Sequence, residues 1–438
     1  MQTIKRWPAR PSFPSWPLVV AAGWMVSTMA WAQQPPGGLA ATAPTPLSLH
    51  GVFEQAWARQ PEARSADLRR AAADATRQAA SAWTPEPLAL NLQTQTDRPG
   101  SNHGSREYEA GVSVPLWLPG ERARKGRLAH AEQAALESGL AAARLRLAGE
   151  VREAWWAWQR ARAELDLTQD RLASAQGLAR DVARRFKAGD LSQADRHQAD
   201  SAVAQAESAV AEAQGAHDGV LAALRAHWGA RPADAAPGEG GGSDEARPEP
   251  LPGPLSVAAV PEAHPALAEL HDQAWTARRA AELAATQTRA NPELTLATTR
   301  SKGQAGERYQ QTVTLGVRIP LGAGPRAQAR EATALAETAD AEARAAIAQS
   351  RLAAEAAAAR ARLAALQAQV AAMARNAGLA RETLAFYEKS FRLGETDLPT
   401  RLRVALEAAQ AQRQLARLRI DEAAAVSALR QALGLLPE

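Results

Sequence analysis

The sequence contains no cysteine, which excludes a disulfide framework, a thiolate metal site and a lipid attached to an amino-terminal cysteine. Aromatic residues make up only 5% of its 438 residues. Ala, Arg, Glu and Gln crowd the chain instead, a composition that suits long, closely packed helices better than a compact enzyme core. After residue 32 there is no run of 18 apolar residues, which excludes a helical membrane protein. Basic excess is nearly absent as well. The formal charge of +4 falls to +1 once the three basic residues of an amino-terminal leader are removed. That is too little to predict a nucleic-acid partner.

That leader occupies residues 1–32. Lys5, Arg6 and Arg10 precede an apolar stretch from Leu18 to Ala30, and Ala30-Trp31-Ala32 fits the small-x-small rule for signal peptidase. A stretch of 13 residues falls short of the roughly 20 apolar residues that span a bilayer as a helix. A signal peptide cleaved before Gln33 is predicted. An exported chain with no further apolar run is either soluble or part of a β-barrel.

What is present is a repeat. Pro115-Leu116 recurs as Pro320-Leu321, Phe186 and Gly189 as Phe391 and Gly394, Leu224-Arg225 as Leu429-Arg430, and Gly229 as Gly434, always 205 residues apart. The predicted organisation is a first repeat over 33–229, a Gly/Pro-rich linker over 230–261 expected to be a surface loop, and a second repeat over 262–438.

Each repeat reads in the same order. A helix over about 50–82 stops before Pro85 and Pro87, and its counterpart over about 265–290 stops before Pro292. Leu88, Leu90 and Leu92 then alternate with smaller or polar residues, as do Tyr108, Ala110, Val112, Val114 and Leu116 after a polar turn. The second copy has Leu294 and Leu296, then Val313, Leu315, Val317 and Ile319. Four amphipathic strands are therefore expected. A proline-free helix over about 121–187 follows, with a heptad-like seam through Leu147, Val151, Trp158, Leu165, Val182 and Phe186. A glycine turn at Gly189 or Gly394 leads into a return helix, with Asp190 or Thr396 as the expected caps.

At about 1.5 Å per residue the long helix reaches about 100 Å, while the shorter helices on either side are roughly 50 and 58 Å. Two short helices end to end match one long helix. The fold class is α+β, a long coiled-coil barrel of helices with four strands given to an oligomeric transmembrane β-barrel. Four strands cannot close, and an open edge in lipid leaves backbone groups unpaired. Two, three or four copies would give about 8, 12 or 16 strands, all within the known range of membrane barrels.

The duplicated order of elements, Asn291-Pro292-Glu293-Leu294, the run from Val112 to Arg124 and the tips Phe186 to Gly189 and Phe391 to Gly394 together resemble the TolC-type outer-membrane efflux proteins. The run from Val112 to Arg124 is closest to the metal-cation members. The resemblance implies a homotrimer in outer-membrane lipid, a 12-stranded barrel, helices in the periplasm, and docking to a periplasmic adaptor and an inner-membrane pump. It implies adaptor-facing tips at Phe186, Gly189, Leu191, Phe391, Gly394 and Leu398. In some members aspartates narrow the tunnel entrance at places that here hold Thr400 and Arg403. Asp195 of the first hairpin could still supply a carboxylate.

The strand positions expected to face lipid are Leu88, Leu90, Leu92, Val112, Val114, Leu294, Leu296, Val313, Leu315 and Val317. Tyr108, Trp117 and Tyr309 are candidates for aromatic girdles at the bilayer interface. Trp155, Trp156 and Trp158 read as packing or as a stacking platform, and His217 as a seam residue or a pH-responsive one. No histidine pair, catalytic triad, paired acids or nucleotide loop stands at a suggestive spacing, so no metal, no cofactor, no nucleic acid and no enzymatic activity are predicted. An efflux channel is expected to export small molecules or metal cations. The alternatives are a channel for type I protein secretion and a non-channel periplasmic coiled-coil protein.

Overall fold

The computed structural model describes residues 48–229, 248–253, 263–321 and 324–438. The expected signal peptide and most of the expected linker lie outside the described residues.

From residue 47 onward the chain forms one compact unit. Its elements are α1 (Leu49–Arg59), α2 (Pro61–Ala80), β1 (Ala89–Thr96), β2 (Arg106–Pro115), α3 (Glu121–Ala188), α4 (Gln193–Trp228), α5 (Pro265–Thr286), β3 (Glu293–Lys302), β4 (Gln310–Arg318), α6 (Gly324–Leu393) and α7 (Leu398–Ala432). The expected single helix over 50–82 is two. Pro61 has no N–H to continue a helix, and Gln60 before it is extended, with ψ 140°. Ser48 caps the first piece through Gly51 N.

The repeat survives as backbone geometry. Gly189 and Gly394 both end a long helix in the left-handed region, at φ 85° and 79°, and Gly229 and Gly434 do so at 75° and 77°. L-residues pay strain there, so glycine at these turns is a requirement of the hairpin. The caps that follow differ from expectation. Ser192 starts α4 and Asp397 starts α7, in place of Asp190 and Thr396.

The seam forms where it was expected. Ala199, Ala206 and Ala213 are buried along α4 at seven-residue spacing, and Ala356, Leu363, Ala377 and Phe391 along α6 at multiples of seven. Small residues at these positions let helix axes approach closely. The largest core joins α1, α3, α4 and α7, and holds Phe53, Val151, Trp155, Trp156, Trp158 and Leu224. The tryptophans are therefore packing residues. Trp156 Nε1 donates to Ser427 Oγ at 2.9 Å and Trp158 Nε1 donates to His217 Nε2 at 3.3 Å. With Nε2 accepting, the imidazole proton lies on Nδ1, which is 3.2 Å from Asp218 Oδ1. His217 thus completes the polar edge of the tryptophan core.

The tract expected to be a surface loop contains a buried anchor. Glu249 is 5% exposed. Both of its oxygens take the Arg152 fork, at 3.0 and 2.7 Å, and Oε1 also faces Arg430 Nε at 3.2 Å. Arg152 belongs to the first repeat and Arg430 to the second. Arg152 also donates to Gln431 Oε1 and Leu435 O, and Arg430 donates to Pro250 O and Leu436 O and pairs with Glu438 at 2.7 Å. Proline and glycine composition marks a stretch that leaves regular structure. It does not reveal that one carboxylate inside that stretch pairs with two buried cations.

Candidate functional site

The four strands form one antiparallel sheet in the order β1-β2-β3-β4. Register aligns the apolar positions into rows. Leu90, Val112, Leu296 and Leu315 stand side by side, as do Leu92, Ala110, Thr298 and Val313, and Val114, Leu294 and Val317. The rows between them are polar or small: Asn91, Gly111, Ala297 and Thr314, then Gln93, Glu109, Thr299 and Thr312. Because side chains alternate across a strand, one face of the sheet is apolar and the other polar.

Leu88, Leu90, Leu92, Val112, Leu296, Val313, Leu315 and Val317 are exposed, and Val114 and Leu294 are half-buried. No described helix packs on this face. An exposed apolar sheet of this size is tolerated only where something apolar covers it. β1 and β4 each leave an edge with unpaired backbone groups.

Where the sheet meets the helices, two stretches singled out in the sequence come together. Asn291 Nδ2 donates to Leu116 O at 3.1 Å and to the buried Glu121 carboxylate at 2.8 Å, and Gln287 Nε2 donates to the same carboxylate at 2.7 Å. Glu121 also accepts from Leu118 N at 3.0 Å, closing the first turn of α3. The junction of sheet and helix in one repeat is thus held by side chains of the other. Trp117 lies at this junction, donating to Ala82 O at 3.2 Å.

At the far end the two hairpin tips pack against each other. Phe391 and Leu398 are buried with Val182 and Ala199. Arg185 of the first hairpin donates to Phe391 O and Arg392 O at 3.0 and 3.2 Å, and its guanidinium lies 4.9 Å from the Phe391 ring. The side chains of Phe391 and Leu398 therefore hold the tips together from within, which corrects their expected place on an outward docking surface. Gly189 and Gly394 are exposed, and Phe186 and Leu191 are half-buried.

The expected entrance residues sit just past these tips. Asp195 closes a capping box, accepting from Ser192 N at 2.9 Å and Ser192 Oγ at 2.7 Å. The Ser192 hydroxyl, and then its backbone N–H, hold the Asp195 carboxyl below the usual carboxylate range. Thr400 N donates to the cap Asp397 at 3.3 Å, and Arg403 pairs with Glu407 at 2.7 Å. Among the described residues no group of three or more His, Asp or Glu could hold a metal ion, and no described helix is long and apolar enough to cross a membrane.

Residues 52–230 match the family described as outer membrane efflux protein. The matched span is essentially the first repeat, and the constant offset extends the same plan to the second. The chain also resembles solved structures along most of its length. CusC superimposes with a TM-score of 0.71 at 17% identity, covering 88% of this chain and 92% of that one. VceC from Vibrio cholerae gives 0.70 at 19%, covering 89% and 97%. The MtrE outer membrane channel of Neisseria gonorrhoeae, in its open state, gives 0.69 at 16%, covering 88% and 89%. At these identities the likeness is one of fold. No curated protein matches the chain by sequence. The family and these neighbours are outer-membrane channel proteins.

Proposed function

We propose that the chain is the channel-tunnel subunit of a tripartite efflux system. Three copies join their sheets into a 12-stranded barrel in outer-membrane lipid, and their helices form a tunnel in the periplasm. The observation that carries this reading is the sheet, with one apolar face uncovered and two edges open. An adjacent copy supplies the missing strand to each edge, and closure leaves no edge in lipid. A periplasmic coiled-coil protein without a channel has no use for apolar rows in register across four strands.

The second long helix supports the same assembly. Leu379, Phe386 and Leu393 are exposed at seven-residue spacing near the tip, 64%, 72% and 65% respectively. A heptad stripe with no partner in its own chain fits a seam against the next copy. The adaptor contact is assigned to what the packed tips leave outward, Gly189, Gly394 and the half-buried Phe186 and Leu191. At the entrance Asp195 is engaged in its cap as a carboxylate and Arg403 in its ion pair with Glu407.

The test is outer-membrane fractionation of the full-length protein followed by electrophoresis with and without heating. Heat-modifiable trimers in the outer membrane are expected. Recovery as a soluble periplasmic monomer would overturn the reading. A deletion strain challenged with metal salts and with drugs then identifies the cargo.

A further inference from the structure

The end of the sheet away from the helices carries a cluster of cations that channel formation does not use. On the apolar face, the row of Leu92, Ala110, Thr298 and Val313 is followed by one containing Tyr108 and Arg300, and then by one in which Arg106 stands directly opposite Lys302. Like charges in register across a ladder repel each other. Among the described residues no carboxylate is paired with any of the three.

The acids nearby are turned away or occupied. Glu107 and Glu109 alternate to the polar face. Glu307 accepts from Gly303 N and Gln304 N, and Asp97 accepts from Gly104 N. Two tyrosines complete the cluster. The Tyr309 ring lies 4.7 Å from the Arg300 guanidinium and 5.3 Å from Lys302 Nζ, and its centroid is 6.3 Å from that of Tyr108. Beside them a depression of about 520 Å³ runs along the face, bordered by Leu92, Ala110, Thr298 and Arg300. It exists because Ala110 and Thr298 are the small members of their row.

We propose that Arg106, Arg300 and Lys302, with Tyr108 and Tyr309, form a site for the phosphate of an outer-leaflet lipid headgroup, with an acyl chain of the same lipid lying along the depression. This rests on the channel reading. A lipid is favoured over a free phosphate ion because the cations share a face with the leucine rows and begin one row beyond them. An anion held there is next to hydrocarbon, and an apolar tail fits the groove below it. Three cations in two rows without a counter-ion gain most from a ligand carrying more than one negative charge.

The experiment places the purified full-length protein in lipid nanodiscs of phosphatidylcholine with or without a minor fraction of diphosphorylated lipid A, and measures lipid retained on the trimer by native mass spectrometry. Wild type is expected to enrich lipid A. The variant R106Q/R300Q/K302Q is expected to lose on the order of 100-fold in apparent affinity, since each cation near an anionic surface contributes about fivefold. R300Q alone, at an exposed position, should lose about fivefold and guards against misfolding of the triple variant. R318Q, at the opposite end of the sheet, should keep the enrichment. Equal enrichment by wild type and R300Q, or displacement of lipid A by inorganic phosphate at equal concentration, overturns the site. Trimers that insert without enrichment overturn the lipid site and leave the channel reading standing, whereas failure to insert at all overturns both.

Discussion

The two repeats share one backbone plan and pack it differently. At offset 205, Val151 and Ala356 are both fully buried, and Trp158 matches Leu363. Yet Trp155 is matched by Arg360, and Arg152 by Ala357. The long helix of the first repeat leaves no large apolar residue outward among the described residues, while that of the second leaves Leu335, Ile347, Leu379, Phe386 and Leu393 exposed. Duplication therefore fixed where helices run and turn, and the side chains then divided the labour. The first repeat supplies the dense core of the protomer. The second supplies the surface that suits a neighbouring copy. Only in the sheet do the repeats remain equivalent, because both must present the same apolar face to the same surroundings.

The sheet gives the largest effects and the sharpest test of that equivalence. Leu90→Asp in the first repeat and Leu315→Asp in the second lie in one row. A charge on a lipid-facing strand costs up to about 2–4 kcal/mol near the bilayer midplane, somewhat less for Asp than for Lys or Arg, and three copies multiply it. Both variants should lose heat-modifiable trimer to a similar degree. Asn91→Asp and Thr314→Asp, one position along on the polar face, should keep it. Loss from one repeat alone would break the equivalence.

Next in size is the joint between the repeats. Glu249→Ala strands the buried Arg152 guanidinium and leaves Arg430 with Glu438 alone, and removing one partner of a buried ion pair costs about 3–5 kcal/mol. A large drop in the thermal unfolding midpoint of the detergent-solubilised protein is expected. Arg152→Met should cost less, because Arg430 remains to pair with Glu249.

The cores should then separate the repeats. Trp158→Ala removes a ring packed on Trp155 at 5.1 Å and leaves His217 without its donor. It should cost about 3–5 kcal/mol. Leu363→Ala at the equivalent place should cost about 2 kcal/mol, because it removes a smaller side chain than Trp158. Denaturant unfolding of the two variants checks the order, and equal losses would refute the asymmetry of packing.

Much of this was legible in the sequence because it was periodic. The offset, the four alternating strands, the seam and the glycine turns all follow from spacing, whereas the register that sets Leu90 in one row with Leu315 comes from the fold. What was not legible depends on which distant side chains meet. Pro61 was overlooked inside an otherwise helical stretch. Arg152, Glu249 and Arg430 are ordinary charged residues, Arg152 and Glu249 pairing across 97 positions, and nothing local distinguishes them. Glu121 likewise reads as a first-turn acid, and only the fold shows it receiving Asn291. Phe391 and Leu398 were assigned to an outward tip by the family resemblance, and a place near the turn does not say which neighbour covers a side chain.

The smallest effects belong to the tips, where the repeats look most different and the difference should prove slight. Ser192 and Asp195 in the first hairpin correspond to Asp397 and Thr400 in the second. Each set places one carboxylate beside the amino terminus of the return helix, where unpaired N–H groups favour negative charge. Ser192→Ala and Asp397→Ala should each cost about 1 kcal/mol. Asp195 has its carboxyl held low in the folded state. Its contribution is therefore present above the pKa of an unfolded aspartate, about 3.9, and is lost as pH falls through the lower folded value. Thermal melts of wild type and Asp195→Asn should consequently converge on acidification below about pH 4. The decisive variant exchanges one solution for the other. Ser192→Asp with Asp195→Thr gives the first tip the cap of the second, and a change in stability within about 0.5 kcal/mol is expected, half the worth of a single cap. A loss as large as that of Ser192→Ala would mean that the two tips are specialised in their caps as well as in their packing.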